Sequence, residues 1–150
     1  MTKSEKKIIF LIFYFIAAVL PLLSGYFIYL AFSPGLPITA IFYELFPNAD
    51  LSCFSENGFL KISKPYICDF MWAFAFTFSV SFVLNKTRLN YIESCSVSFV
   101  FSLILELLQM SGIVSGTFDF ADILFELLAC ITAAVIIKNF LRSIENEEID

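Results

Sequence analysis

The chain has 150 residues, the length of one ordinary domain, yet 59% are hydrophobic and the mean hydropathy is +0.86, against roughly 45–50% apolar content in soluble domains. Phenylalanine supplies 20 residues, and a globule this small has too much surface to hide so much apolar side chain. A soluble monomer and a disordered chain are excluded, as is a nucleic-acid binder at a net charge of −5; with no His, the commonest acid–base and metal-ligating group is missing.

Apolar runs of membrane length, roughly 20 residues, occur four times. Residues 8–32 carry no charge and contain Pro21 and Ser24-Gly25, where lipid tolerates a kink. The run is longer than the core of a cleaved signal and is read as a retained span. Residues 65–84 are interrupted only by Asp69, residues 91–114 carry Glu93 and Glu106, and residues 119–137 begin with acids. The expected fold is all-α, a polytopic integral membrane bundle of four transmembrane helices with one long extracytoplasmic loop, residues 33–64. Residues 143–150 are expected to form an acidic cytoplasmic tail.

Orientation follows from Lys and Arg. Lys3, Lys6 and Lys7 precede the first span, Lys86 and Arg88 join the second and third, and Lys138 and Arg142 follow the fourth. Cytoplasmic N- and C-termini put these seven inside and only Lys61 and Lys64 outside, as the positive-inside rule requires. The expected location is the cytoplasmic membrane.

In the loop, Pro34 and Pro37 close the first helix. Ile38, Ile41, Phe42, Leu45 and Phe46 share one helical face, which suits a short helix on the outer membrane surface. Asn57-Gly58, between residues 51–56 and 59–63, is a tight-hairpin signal. The segment is either a cap over the helix ends or a lid over a site. Cys53 and Cys68 fall on the oxidising side, where they are either disulfide-bonded or two free thiols. Cys95 and Cys130 read as small packing residues.

The acids inside the spans carry the functional information, since an ionisable group at the membrane centre costs at least about 2.5–3.5 kcal/mol. Asp69 lies about 6 Å below the outer start of its run, Glu106 about 9 Å below Gly112, and Glu126 about 10 Å below Asp119. Glu106 and Gln109 are spaced i and i+3; Asp119, Asp122 and Glu126 are spaced i, i+3 and i+7, so each set shares a face. Asp69 shares its face with Trp72 and Phe76. A bundle with these faces inward gathers Asp69, Trp72, Glu106, Gln109, Asp119, Asp122 and Glu126 into an outward pocket. Glu93, at the inner end, stands apart. Crowded carboxylates are reconciled by protons, by a hard divalent cation such as Ca²⁺ or Mg²⁺ held by Glu106, Asp119 and Asp122, or by a cationic or hydroxyl-rich ligand. The alternative is that Asp119 caps the fourth helix, Asp122 favours its N-terminus and the rest face water.

Glu106-Leu-Leu-Gln109, a short turn, Gly116-Thr-Phe-Asp119, then Asp122 and a final apolar helix resemble the VanZ-like membrane protein family, as does Pro65-Tyr-Ile-Cys-Asp69-Phe-Met-Trp72-Ala. The resemblance covers roughly residues 65–137 and includes the four-span layout. Where members carry an Arg just before the first Asp, this chain has Ser115-Gly116. Glu126 stands where many have Asn, and Ala129 where many have Gly. The resemblance implies a bacterial cell-envelope protein, and an association with resistance to the glycopeptide teicoplanin rather than a known reaction.

Three functions are compatible with these residues. The first is an envelope protein whose pocket binds a cation or the polar headgroup of a membrane lipid, a lipid-linked cell-wall precursor or a glycopeptide. The second is a membrane-embedded hydrolase or transferase on a lipid-linked substrate, with catalytic candidates Glu106 as general base and Asp119 or Asp122 on a metal. The third is a small proton-coupled transporter, for which a cluster confined to one side is incomplete unless the chain forms a homo-oligomer.

Overall fold

Inside lipid, every backbone amide and carbonyl must find its partner within the protein, which favours continuous helices. The computed structural model describes residues 3–32, 37–47, 58–84, 90–114 and 118–146. Among them are five helices and no strand: α1 (Lys3–Phe32), α2 (Pro37–Leu45), α3 (Gly58–Val83), α4 (Asn90–Met110) and α5 (Phe120–Asn146). Four contain segments long and apolar enough to cross a membrane: Ile8–Phe32, Ser63–Val83, Asn90–Met110 and Phe120–Ser143. Their outward surface is apolar, with Phe15, Leu20, Phe27, Val100, Leu128 and Val135 among the many exposed large side chains. That surface suits contact with lipid.

Consecutive spans run antiparallel, and α3 is central, packing on α1, α4 and α5. Two junctions differ in chemistry. Where α1, α3 and α5 meet, near the chain ends, the core is aromatic. Phe78 is fully buried against Phe13, Tyr14 and Phe74 at centroid distances of 5.7, 5.8 and 5.0 Å, and Phe13 stacks on Phe140 at 3.7 Å. Where α3, α4 and α5 meet, the buried side chains are small: Ala73, Ala129 and Cys130, with half-buried Cys95 packed beside them. Such residues let helices approach closely where lipid supplies no hydrophobic drive.

The buried face of α4 is entirely polar: Asn90, Ser94, Ser98, Ser102 and Glu106, each four residues from the last. At its start, the Asn90 side-chain amide donates to the Ser81 carbonyl of α3 at 2.9 Å, the Asn90 side-chain oxygen accepts from Ser94 Oγ at 2.9 Å, and Ser81 Oγ shares a hydrogen bond with Tyr14 Oη at 3.0 Å. This clamp ties α1, α3 and α4 together and satisfies one of the carbonyls that every helix C-terminus leaves open. Asn90→Ala is expected to cost about 1–2 kcal/mol, since it orphans buried partners. Thermal unfolding in detergent would check this; a midpoint equal to that of the parent chain contradicts it.

Several boundaries differ from those expected. The hairpin arm expected at residues 59–63 is the first turn of α3, which starts at Gly58 and takes in Pro65. Asn is favoured at helix starts as well as in turns, and the sequence signal does not separate the two. The loop expected over 33–64 ends earlier than expected, because residues 58–64 already belong to α3. The short helix α2 occurs as expected and is fixed to the end of α1 by Tyr43 Oη donating to the Leu30 carbonyl at 2.6 Å. Its Ile41 and Leu45, with Phe46 just beyond, remain exposed. The third span stops at Met110 rather than 114. Gly112, at φ 73°, donates to Gln109 and lets Ile113 donate back to Leu108, the paired bonds of a Schellman end. α5 runs past 137 through Lys138 and Arg142 to Asn146, so the first residues of the expected acidic tail are helical. Cys53 and the last four residues lie outside the described residues. Cys68 is a buried free thiol with Sγ 4.0 Å from the Gly25 carbonyl.

Candidate functional site

α3, α4 and α5 bring their acids together at the end opposite the aromatic core. Asp69 and Asp122 stand within hydrogen-bonding reach of each other, and each lies in the field of further carboxylates: Glu106 for Asp69, and Asp119 for Asp122. Glu126 feels Asp69, Glu106 and Asp122, and its side chain lies beside Ser102. The Glu106 carboxyl reaches the backbone N–H of Asp119. Five carboxyl groups from three helices thus form one cluster. Glu106 and Glu126 are only 5% and 6% exposed, so the water-facing alternative fails for both. Asp69, Asp119 and Asp122 are half-buried.

Asp119 has a second role that the sequence anticipates. Its Oδ1 accepts from the Ala121 N–H at 2.9 Å, and its carbonyl accepts from Asp122 N–H at 3.1 Å, which makes it the N-cap of α5. Asp122, in the first turn, is placed where the helix dipole favours negative charge. Asp119→Ala is expected to destabilise by about 1 kcal/mol and Asp119→Asn by far less, because Asn also caps. Equal losses for the two would show that charge, not capping, sets the cost.

Glu106, Asp119 and Asp122 are neighbours, yet among the described residues no three His, Cys, Asp or Glu side chains are arranged to hold a metal ion. Asp119 points one oxygen at its own helix. Trp72 likewise belongs to a neighbouring feature. It lines a groove of about 450 Å³ between α1 and α3 with Pro21, Gly25, Tyr29, Cys68 and Asp69. Its ring packs on Phe76 and Phe101 at 5.1 and 6.1 Å. Asp69 lines this groove and also belongs to the carboxylate cluster. Gln109 is half-buried near the end of α4, where its carbonyl accepts from Gly112. Glu93 is exposed at the other end of α4, apart from the cluster as expected.

Comparison with family models, curated proteins and solved structures found no match. The site therefore stands on its own geometry.

Three residues of the site escape a reading based on acids alone. Tyr66 stacks on Phe125 at 5.0 Å and directs its hydroxyl to Asp119 at 3.4 Å, a long contact for such a bond, so an aromatic wall closes one side. Ser98 and Ser102 lie beneath the cluster, 0% and 1% exposed; the Ser98 hydroxyl has no hydrogen-bond partner among the described residues, and the Ser102 hydroxyl lies against the Glu126 carboxyl. Recurrence of a polar residue every fourth position in an otherwise apolar helix is the signal that finds them.

Proposed function

We propose that this chain is a VanZ-like membrane protein of the bacterial cell envelope, with cytoplasmic termini, whose outward carboxylate cluster binds the cationic or hydroxyl-rich headgroup of a lipid or lipid-linked cell-wall precursor. The observation that carries this reading is the convergence of Asp69, Glu106, Asp119, Asp122 and Glu126 from three helices at one end. Positive-inside counting supports placing that end outside. Anionic oxygens accept hydrogen bonds from ammonium and hydroxyl groups and repel phosphate-terminated ones. The Tyr66–Phe125 pair offers an apolar and π-rich face to the same ligand. The groove lined by Asp69 and Trp72 runs between α1 and α3, where an acyl or polyprenyl chain could lie. The association with glycopeptide resistance rests on the family resemblance and follows if the bound headgroup is a cell-wall precursor.

The test is retention of lipids by the purified protein. Zwitterionic lipids with a primary ammonium, anionic glycerol lipids and a polyprenyl-linked sugar are offered in mixed micelles, and retained lipid is measured by native mass spectrometry. Preferential retention of the ammonium or sugar headgroup is the expected result. Equal retention of all three, or preference for the anionic lipid, overturns the reading.

A further inference from the structure

Two charges of opposite sign stand at the mouth of the groove between α1 and α3. Lys64 of α3 holds its ammonium 5.1 Å from the centre of the Tyr29 ring on α1, a cation–π distance. Tyr29 lines the groove together with Asp69 and lies in the field of that carboxylate. Lys64 also acts on Cys68, one turn along α3 and another wall of the groove. Lys64 and Asp69 are thus about 7.5 Å apart along the helix axis, with Tyr29 as their common neighbour.

Away from this mouth the groove becomes apolar. Pro21 and Leu22 of α1 form one side, Trp72 and Phe76 of α3 the other. Ser79 marks its far end, and the Ser79 hydroxyl already donates to the Ala75 carbonyl at 2.9 Å. From Cys68 to Ser79 the groove follows about 16 Å of helix, close to half of a hydrocarbon core about 30 Å thick. A slot one leaflet deep, apolar within and charged at its mouth, has the layout of a lipid and not of a compact solute. The two charges select the headgroup. A phosphodiester carries one negative charge, which Lys64 answers, and a terminal ammonium answers Asp69. A glycerol headgroup supplies only the first, while a diphosphate-linked sugar brings a second negative charge towards the carboxylates.

We infer that this groove holds an acyl chain of a phospholipid whose headgroup ends in a primary ammonium, with its phosphodiester on Lys64 and its ammonium on Asp69. The ammonium end rests on the headgroup reading above; the phosphate end, on Lys64 and Tyr29, is independent of it. Lys64 also borders a second groove, against a different face of α1, with Phe27 and Ile28. That groove has no acid in its lining, so it lacks a partner for the ammonium.

The experiment offers the full chain, in detergent, three lipids with brominated acyl chains. Their headgroups are phosphoethanolamine, phosphoglycerol, and a primary ammonium without phosphate. Retention is read by native mass spectrometry, and bromine contact by quenching of Trp72, the sole tryptophan and a wall of the groove. The phosphoethanolamine lipid should be retained about tenfold better than either other lipid, the worth of one charged hydrogen bond, and should quench most. Lys64→Gln should lower its retention to that of the phosphate-free lipid and leave the latter unchanged. Asp69→Asn should erase its advantage over the phosphoglycerol lipid. Equal retention of the two ammonium lipids by the parent, or no effect of Lys64→Gln in folded protein, overturns this inference alone, since a shared preference over phosphoglycerol keeps the headgroup reading. Equal retention of the phosphoethanolamine and phosphoglycerol lipids removes both. Retention without quenching of Trp72 places the chain in the other groove, and a lipid-free dimer with Trp72 shielded makes a second copy the occupant; either result overturns the inference.

Discussion

Glu106→Ala is expected to weaken retention of the preferred headgroup by about thirtyfold, or about 2 kcal/mol, the lower range for removing one partner from a buried charged contact. Glu106 sits at the meeting point of α4 and α5, 5% exposed, with its carboxyl on the Asp119 amide and within the field of Asp122. Its loss removes charge from the cluster and also the acceptor that holds the α5 N-terminus against α4. Glu106→Gln separates the two contributions. Gln still offers a carbonyl to the amide, so the bundle should unfold as the parent does, while retention still falls. If Glu106→Ala and Asp122→Ala both leave retention unchanged in folded protein, the carboxylates are structural and the proposed function is wrong.

The largest expected loss of stability comes from Phe78→Ala. Phe78 projects from the central helix and touches both α1 and α5, filling the space among Phe13, Tyr14, Ala133 and Ile137. In water such a truncation costs about 3–5 kcal/mol, part of it the transfer of the ring. For helices already in lipid the transfer contribution largely vanishes, leaving lost packing and the cavity, and about 2–3 kcal/mol is expected. Phe15→Ala is the control: its ring is 68% exposed on α1 and faces outward, so its loss should cost close to nothing. Reversible unfolding by an added denaturing detergent would check both. Equal costs would mean that the aromatic junction is not the core of the bundle.

Hydropathy located all four spans because a membrane enforces length and apolarity on each. Their ends were less legible, for different physical reasons. Lys138 and Arg142 are charged but good helix formers, so α5 continues where an apolar window stops. Met110 is followed by residues as apolar as a span, yet Gly112 ends the helix by its backbone conformation, a property that hydropathy does not weigh. The acids of the cluster were legible from their spacing, since i, i+3 and i+7 place them on one face and isolated charge in lipid demands an explanation. Asp119 was legible twice, as acid and as cap, but the use of one of its oxygens in capping could only be seen in three dimensions. Ser98 and Ser102 were not legible as site residues. Serine is small and commonplace in membrane helices, and only the absence of the usual carbonyl partner distinguishes these two from Ser94.

The polar face of α4 has a consequence for how the helix finds its place. Four residues exceed one full turn by about 40°, so a row with this spacing winds slowly around the helix like a screw thread. Turning α4 by that angle while sliding it about 6 Å along its axis carries Ser94 onto Ser98 and Ser98 onto Ser102. The middle of the row cannot distinguish one position from the next. Only the ends differ: Asn90, which grips the Ser81 carbonyl, and Glu106, which meets the Asp119 amide. Alignment of the third span against its neighbours is therefore held by its two extremities, and the serines between them act as a thread along which it could advance by one notch.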